Sequence, residues 1–131
     1  MGQQQLLLIV LGVIIVGIAI VVGINLFNAN AESSAKDGVV SDCTNLAAMA
    51  QQFYKKPVAM GGGGNAFDQS NGATAKWAVP ALLDTTGNGT YTAVVNAQTV
   101  VITGTPLTGS GYTWTVTTDV TPTTIASKVN P

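Results

Sequence analysis

The chain has 131 residues, enough for one compact domain and one long element, and five lysines, no arginine and six acidic residues give it a net charge of −1. So few basic residues argue against nucleic-acid binding, because phosphate recognition depends on clustered lysine and arginine. With no histidine and a single cysteine, Cys43, the sequence lacks an internal disulfide, the usual zinc ligands and a nucleophile–histidine pair, so we expect no cofactor and no enzymatic activity.

The first element is an apolar run, residues 6–24, which follows the segment MGQQQ and precedes the first charged side chain, Glu32. As a helix it would be about 28 Å long at ~1.5 Å per residue, close to the thickness of a bilayer's hydrocarbon core. A secretory signal peptide normally has a basic region before a shorter apolar segment. The run therefore predicts a membrane-spanning helix, and an ordinary single-pass anchor is the simplest interpretation of its hydropathy.

A second helical pattern follows the apolar run, with no strong stop signal before Pro57. Its apolar residues recur at intervals of four and three, which places them on one helix face: Val39, Cys43, Leu46, Ala50 and Phe53. Gly38 costs about 1 kcal/mol relative to alanine and could bend the helix. We expect one continuous helix, apolar over residues 1–30 and amphipathic over residues 31–57.

The remaining residues, 58–131, predict a small antiparallel β domain. Threonine-rich segments at residues 91–96, 99–103 and 112–118 favour strands, and the short link at 96–98 favours a hairpin. Three strands cannot bury their apolar face alone. The predicted fold class is therefore α+β, with a long N-terminal helix and a small antiparallel sheet packed on its C-terminal half.

Two loop segments carry weaker signals. The glycine run at residues 61–64 predicts a flexible surface loop, and no Gly-Lys-Ser or Gly-Lys-Thr follows it to bind phosphate. Further on, Asp84, Thr86 and Asn88 place oxygen-bearing side chains at alternate positions, as in a calcium loop, although a simple turn is the alternative because no acid closes the loop. Asn88 also begins the sequon Asn-Gly-Thr and is a candidate N-glycosylation site.

Small residues on the predicted helix have two interpretations each. Cys43 lies on the apolar face, where a buried inert thiol is expected and an intermolecular disulfide is the alternative. Gly12, Gly17 and Gly23 interrupt the apolar run. They either let neighbouring helices approach closely or reflect the tolerance of membrane helices for glycine.

Glycine directly before a long apolar helix, with a small β domain behind it, resembles the type IV pilin family and its relatives in secretion systems and archaeal filaments. The resemblance implies that a prepilin peptidase-like enzyme cleaves after Gly2, so that Gln3 becomes the new N-terminus, and that an assembly machinery bundles the helices into a filament core. The glutamine is similar to the archaeal form of the signal. In two respects the chain differs from the family: its leader has no basic residue, and Leu7 stands where the family usually has glutamate.

In the family, that glutamate compensates the N-terminal ammonium of a neighbouring subunit within the apolar core. Here Gln3, Gln4 and Gln5 carry side-chain carbonyls that can accept hydrogen bonds from an ammonium or from unpaired first-turn amides. If Met1 is retained, Gln5 itself lies at the fifth position. The glutamines are thus predicted to satisfy the N-terminus inside a helix bundle.

The resemblance implies a major structural subunit that starts as a single-pass protein of the cytoplasmic membrane and polymerises with copies of itself into an extracellular filament, for adhesion, motility or cell contact. The residues predicted to pack in the filament core are Gln5, Leu7, Leu11, Gly12, Val16, Gly17, Ile20 and Gly23. One alternative is a membrane-anchored extracytoplasmic binding or sensory domain. Another is a pseudopilin of a secretion system, in which a calcium loop would fit better.

Overall fold

A computed structural model describes residues 2–131 and confirms the α+β fold class. Helix α1 is followed by a short 3₁₀ helix, Val58–Met60, and by four strands. The bounds of the main elements are α1 Gly2–Lys55, β1 Gly89–Val95, β2 Val100–Pro106, β3 Thr115–Val120 and β4 Ile125–Asn130. By its internal contacts the chain divides into two units, one ending at Ser34 and the other comprising Ala35–Pro131.

The first unit consists of helix α1 up to Ser34, and its side chains are exposed almost throughout. No proline interrupts this segment, and leucine, glutamine and alanine are good helix formers. The large apolar side chains of residues 6–27 are between 50% and 73% exposed. The predicted long helix is confirmed, and it continues through Gly38 to Lys55 as one element.

The second unit is built on an antiparallel sheet whose strands, within the described residues, follow one another in the order β1-β2-β3-β4. The first hairpin is closed where the Asn96 amide donates to the Thr99 carbonyl at 2.8 Å. The last is closed where the Thr121 amide donates to the Thr124 carbonyl at 2.9 Å. Sequential hairpins of this kind need only short connections, which the turn residues provide.

The core of this unit lies between one face of the sheet and the second half of α1. Four of the five periodic helix residues are buried as predicted: Val39, Cys43, Leu46 and Ala50. The fifth, Phe53, is only partly buried. Across from them lie alternate sheet residues and side chains from the preceding loops, among them Val100, Ile102, Val116, Val120, Phe67, Trp77 and Trp114. Thr118 is the buried polar residue of this core, and its hydroxyl lies 2.9 Å from that of Ser127.

The three predicted strands are present in the predicted order, with boundaries that differ by a few residues, and the sheet has a fourth strand. The third begins at Thr115 rather than at residue 112, because pairing with β4 starts there, opposite Asn130. The fourth strand, Ile125–Asn130, was not predicted. It lies at the edge of the sheet with mostly exposed side chains, so it lacks the strong apolar alternation that marks a strand in a sequence.

The glycine run at residues 61–64 is not the flexible surface loop that its composition predicts. The Gly63 amide donates to the Phe53 carbonyl in the last turn of α1 at 2.8 Å, and the Gly64 amide donates to the carbonyl of Lys56, the residue after the helix, at 3.0 Å. Gly63 is buried, and a Cβ there would lie 1.8 Å from the Ala66 carbonyl oxygen. The run therefore caps the C-terminus of the helix, where carbonyls have no partner within the helix itself.

Candidate functional site: an exposed apolar helical segment

The segment with the clearest functional signal is the apolar part of α1, residues 6–24. Within the described residues, α1 is the one helix long and apolar enough to cross a membrane, and none of its most apolar window is buried. A core helix of a globular domain would have much of that window covered. The segment is compatible with a single membrane-spanning anchor or with a signal sequence, and it leaves a large apolar surface without a protein partner.

The predicted core-packing residues are distributed around this helix. At 100° per residue, Gly12, Val16 and Gly23 lie within about 40° of one another, whereas Leu11 and Gly17 lie on other faces. A Cβ added at any of the three glycines would meet nothing within 4 Å. Leu7, Leu11, Val16 and Ile20 are each more than half exposed. The segment is thus apolar all round, as expected of a helix surrounded by lipid or by other helices.

The processing residues lie at the start of the helix. Helix α1 begins at Gly2, and Gln3, Gln4 and Gln5 are exposed in its first turns. The first turn has no acidic residue, so the glutamine carbonyls are the nearest side-chain acceptors for its unpaired amides. Cleavage after Gly2 remains a prediction, and Met1 lies outside the described residues.

In the second unit, a polar cluster that the sequence did not reveal joins helix α1 to the loop before β1. One oxygen of the Asp42 carboxylate, Oδ2, accepts three side-chain hydrogen bonds: from the Tyr91 hydroxyl at 2.5 Å, the Thr86 hydroxyl at 2.8 Å and the Asn88 amide at 3.0 Å. Gly38 makes room for this contact, because a Cβ there would lie 2.7 Å from Asn88 Oδ1. We call these four side chains, Asp42, Thr86, Asn88 and Tyr91, the Asp42 cluster.

The contacts in the Asp42 cluster lower the pKa of Asp42 and raise the pKa of Tyr91. Partial burial acts to raise the pKa of Asp42, but the hydrogen bonds from Tyr91, Asn88 and Thr86 outweigh it and leave the pKa below the usual 3.8. Burial, and then the bond to the Asp42 carboxylate, raise the pKa of Tyr91 above its usual 10. The cluster is therefore an ionised carboxylate held by neutral donors, which is a structural arrangement.

The same contacts bear on two predicted sites. Thr86 and Asn88, two of the three calcium-loop candidates with Asp84, donate to Asp42, so their side chains are engaged in the domain's own contacts. Among the described residues, no group of three histidine, cysteine or acidic side chains could hold a metal ion. The amide of Asn88 that a glycan would occupy also donates to Asp42. Calcium binding and N-glycosylation stay predictions, and neither is favoured by this geometry.

Cys43 is fully buried on the helix face that packs against the sheet. Burial, countered in part by a hydrogen bond with Thr118, raises the pKa of the thiol to about 11. A thiol with this pKa is protonated at neutral pH and reacts slowly. The predicted burial of the thiol is confirmed, and an intermolecular disulfide would require the core to open.

No protein-family model matches the chain, and neither a curated protein nor a solved structure matches it. The resemblance to type IV pilins accordingly rests on residues 2–24 and on the arrangement of one long helix before a small sheet.

Proposed function

We propose that the protein is a structural subunit that polymerises through its apolar N-terminal helix into an extracellular filament, for adhesion, motility or cell contact. The observation that carries this proposal is the exposure of residues 6–24, whose apolar side chains surround the helix on every side. Such a surface is stable in lipid, and outside lipid it must be covered by protein. Copies of the same helix are the partner that the chain itself provides.

The energy available from this assembly is large. A segment of this length can bury on the order of 1,000 Å² of apolar surface, which at about 25 cal/mol per Å² amounts to roughly 25 kcal/mol per subunit before entropic costs. Because residues 6–24 have no charged side chain, packing them among like helices buries no side-chain charge, and only the N-terminus needs a partner. Identical subunits joined through contacts that do not close form an open helical polymer.

The proposed route begins in the cytoplasmic membrane, where residues 6–24 span the bilayer. A prepilin peptidase-like enzyme then cleaves after Gly2, and an assembly machinery transfers the helix from lipid into the filament core. The glutamines at the helix start provide neutral acceptors for the N-terminus in that core. Intact-mass measurement of the mature protein tests this step, because loss of Met1 and Gly2 is the expected result and their retention would contradict cleavage.

The central experiment compares filament formation by the unaltered chain and by Val16→Lys. Cells are sheared, and the released material and the membrane fraction are examined by electron microscopy and immunoblotting. We expect filaments from the unaltered chain and none from Val16→Lys, because a lysine in the middle of the segment costs about 3 kcal/mol in an apolar environment. Val16→Leu is the matched control and should form filaments.

Two results would contradict the proposal. One is recovery of the unaltered protein only as a membrane-bound monomer, which would favour the anchored binding or sensory domain. The other is normal filaments from Val16→Lys, which would show that this helix is not the core. The anchored domain is the second candidate because the same exposed window suits lipid. No structural observation favours the pseudopilin.

A further inference from the structure

The second unit presents an apolar projection that its own core does not use. Residues 80–83, Pro-Ala-Leu-Leu, form a turn in which the Leu83 amide donates to the Pro80 carbonyl at 2.8 Å. Leu82 at its tip is 92% exposed, the most exposed of the large apolar side chains. Leu83, beside it, lines a small pocket with Asp42 and Leu46 of α1. The fold thus holds one leucine outward, and we call this turn the leucine knob.

The same unit contains an open apolar groove of about 240 Å³ along the last turns of α1. Its lining residues are Met49, Gln52, Phe53, Lys56, Gly61 and Trp77. The volume exceeds the ~150 Å³ cavity that a deleted leucine can leave in a protein core, so an isobutyl group can enter it. We call this surface the Trp77 groove.

We propose that the leucine knob of one copy docks into the Trp77 groove of a second copy. The polarity agrees, since an exposed leucine would meet a groove whose lining includes methionine, phenylalanine and tryptophan. The charges also agree. Lys56 lines the groove, and Asp84 lies two residues after Leu82. Docking would bring these opposite charges together at the rim of the contact.

The leucine knob and the Trp77 groove lie at different positions along α1. The knob lies beside Leu46, and the groove extends from Met49 to Lys56. A copy that inserts its knob into a neighbour therefore leaves its own groove available for a third copy. Such a heterologous contact continues from copy to copy and builds an open filament when the rotation between copies does not close a ring. This inference rests on the proposed function and adds to it a contact between the β domains, separate from the helix bundle.

The test is cross-linking in cells that express the full chain with Ala81→Cys and Gln52→Cys, since Ala81 is the exposed neighbour of Leu82 and the leucine itself is kept. Cys43 is fully buried and does not compete for a short bismaleimide reagent. We expect a ladder of dimers, trimers and larger species. Leu107→Cys with Gln52→Cys is the matched control, because Leu107 is also apolar and exposed but lies in the turn after β2; it should give at least ten-fold less ladder.

A charge-reversal pair gives an independent measurement. Lys56→Glu in the cross-linking background should lower the ladder several-fold through repulsion from Asp84, and adding Asp84→Lys should restore it. Both side chains are exposed, so the folded domain tolerates the changes. Failure of the second substitution to restore the ladder would overturn the charge pairing and with it the proposed orientation of the contact.

The possible outcomes separate this inference from the proposed function. Filaments with a ladder support both. Filaments with no ladder above the Leu107 control, or with dimers alone, overturn the knob-in-groove contact and leave the helix-core filament intact. A ladder without filaments supports the contact and contradicts the filament. Absence of both overturns both.

Discussion

Asp42 joins helix α1 to the loop before β1, and its partners lie 44 to 49 residues away in the sequence. Sequence periodicity finds residues that repeat along one element, which is why Val39, Cys43 and Leu46 could be assigned to the buried face. Periodicity does not reveal that a carboxylate accepts hydrogen bonds from side chains that are distant in the sequence. The sequence pattern therefore predicts Thr86 and Asn88 as calcium ligands, whereas in the structure both donate to Asp42.

We expect Asp42→Asn to destabilise the second unit by about 1–2 kcal/mol, because three donors lose a charged acceptor that is partly screened by solvent. The measurement is thermal unfolding of the full chain in detergent, followed by tryptophan fluorescence. The probes suit this purpose, since Trp77 and Trp114 are both buried in this unit. Asp119→Asn, at an exposed position of β3, is the control and should change the stability by less than about 0.5 kcal/mol.

The same cluster predicts how stability depends on pH. The pKa of Asp42 in the folded protein is below 3.8, so its contribution is complete above about pH 4 and is lost as pH falls through the folded value. The pKa of Tyr91 in the folded protein is above 10, so its contribution is complete below pH 10 and is lost as pH rises through the folded value. In Asp42→Asn the loss of stability at acid pH should become smaller but not vanish, because hydrogen bonds from Ser70 also lower the pKa of Asp68. An unchanged acid limb would contradict the assignment to Asp42.

At the scale of elements, the helix and three strands could be predicted because the spacing of apolar residues along each element marks its buried face. The cap formed by residues 61–64 could not, because its signal is a close approach of backbone to backbone that composition does not encode. Four successive glycines are typical of flexible loops and equally of segments with no space for side chains. The hydrogen bond from the Gly63 amide to the Phe53 carbonyl of α1, and the lack of space for a Cβ at Gly63, show that this run belongs to the second kind.

This cap gives a test with a matched control. Gly63→Ala should destabilise the second unit by about 2 kcal/mol or more, because the new Cβ would lie 1.8 Å from the Ala66 carbonyl oxygen and displace the capping amide. Gly87→Ala adds the same methyl group where nothing lies within 4 Å, and should be nearly neutral. The measurement is again the unfolding temperature in detergent. Equal effects of the two substitutions would show that the close packing of the cap is unimportant.

For the whole molecule, the proposed assembly can be tested at the helix start without altering the β domain. Gln5→Leu removes a hydrogen-bond acceptor that we place beside the N-terminus of a packed neighbour. We expect roughly five-fold less sheared filament relative to the membrane pool, the equivalent of about 1 kcal/mol for one hydrogen bond. Asn25→Leu, also exposed on α1, is the control for a simple increase in apolar surface and should leave the yield unchanged.

Gln98, a glutamine of the β domain, is unsuitable as the control position for Gln5→Leu. Its Oε1 accepts a hydrogen bond from the Tyr54 hydroxyl at 2.8 Å, and its Nε2 donates to the Asn65 carbonyl at 3.2 Å. Replacing it would disturb the fold as well as the surface. An equal loss of filament from Gln5→Leu and Asn25→Leu would contradict the specific role of the N-terminal glutamines.

The absence of charge from residues 6–24 has a mechanical consequence for the proposed filament. Between aliphatic helices, sliding along the axis exchanges one set of weak contacts for another of similar strength, and no ion pair has to break. Resistance to pulling would then come from the contacts between β domains, while the core yields and recovers. A filament of this kind would lengthen under tension and shorten when released, behaving as a spring rather than a rod.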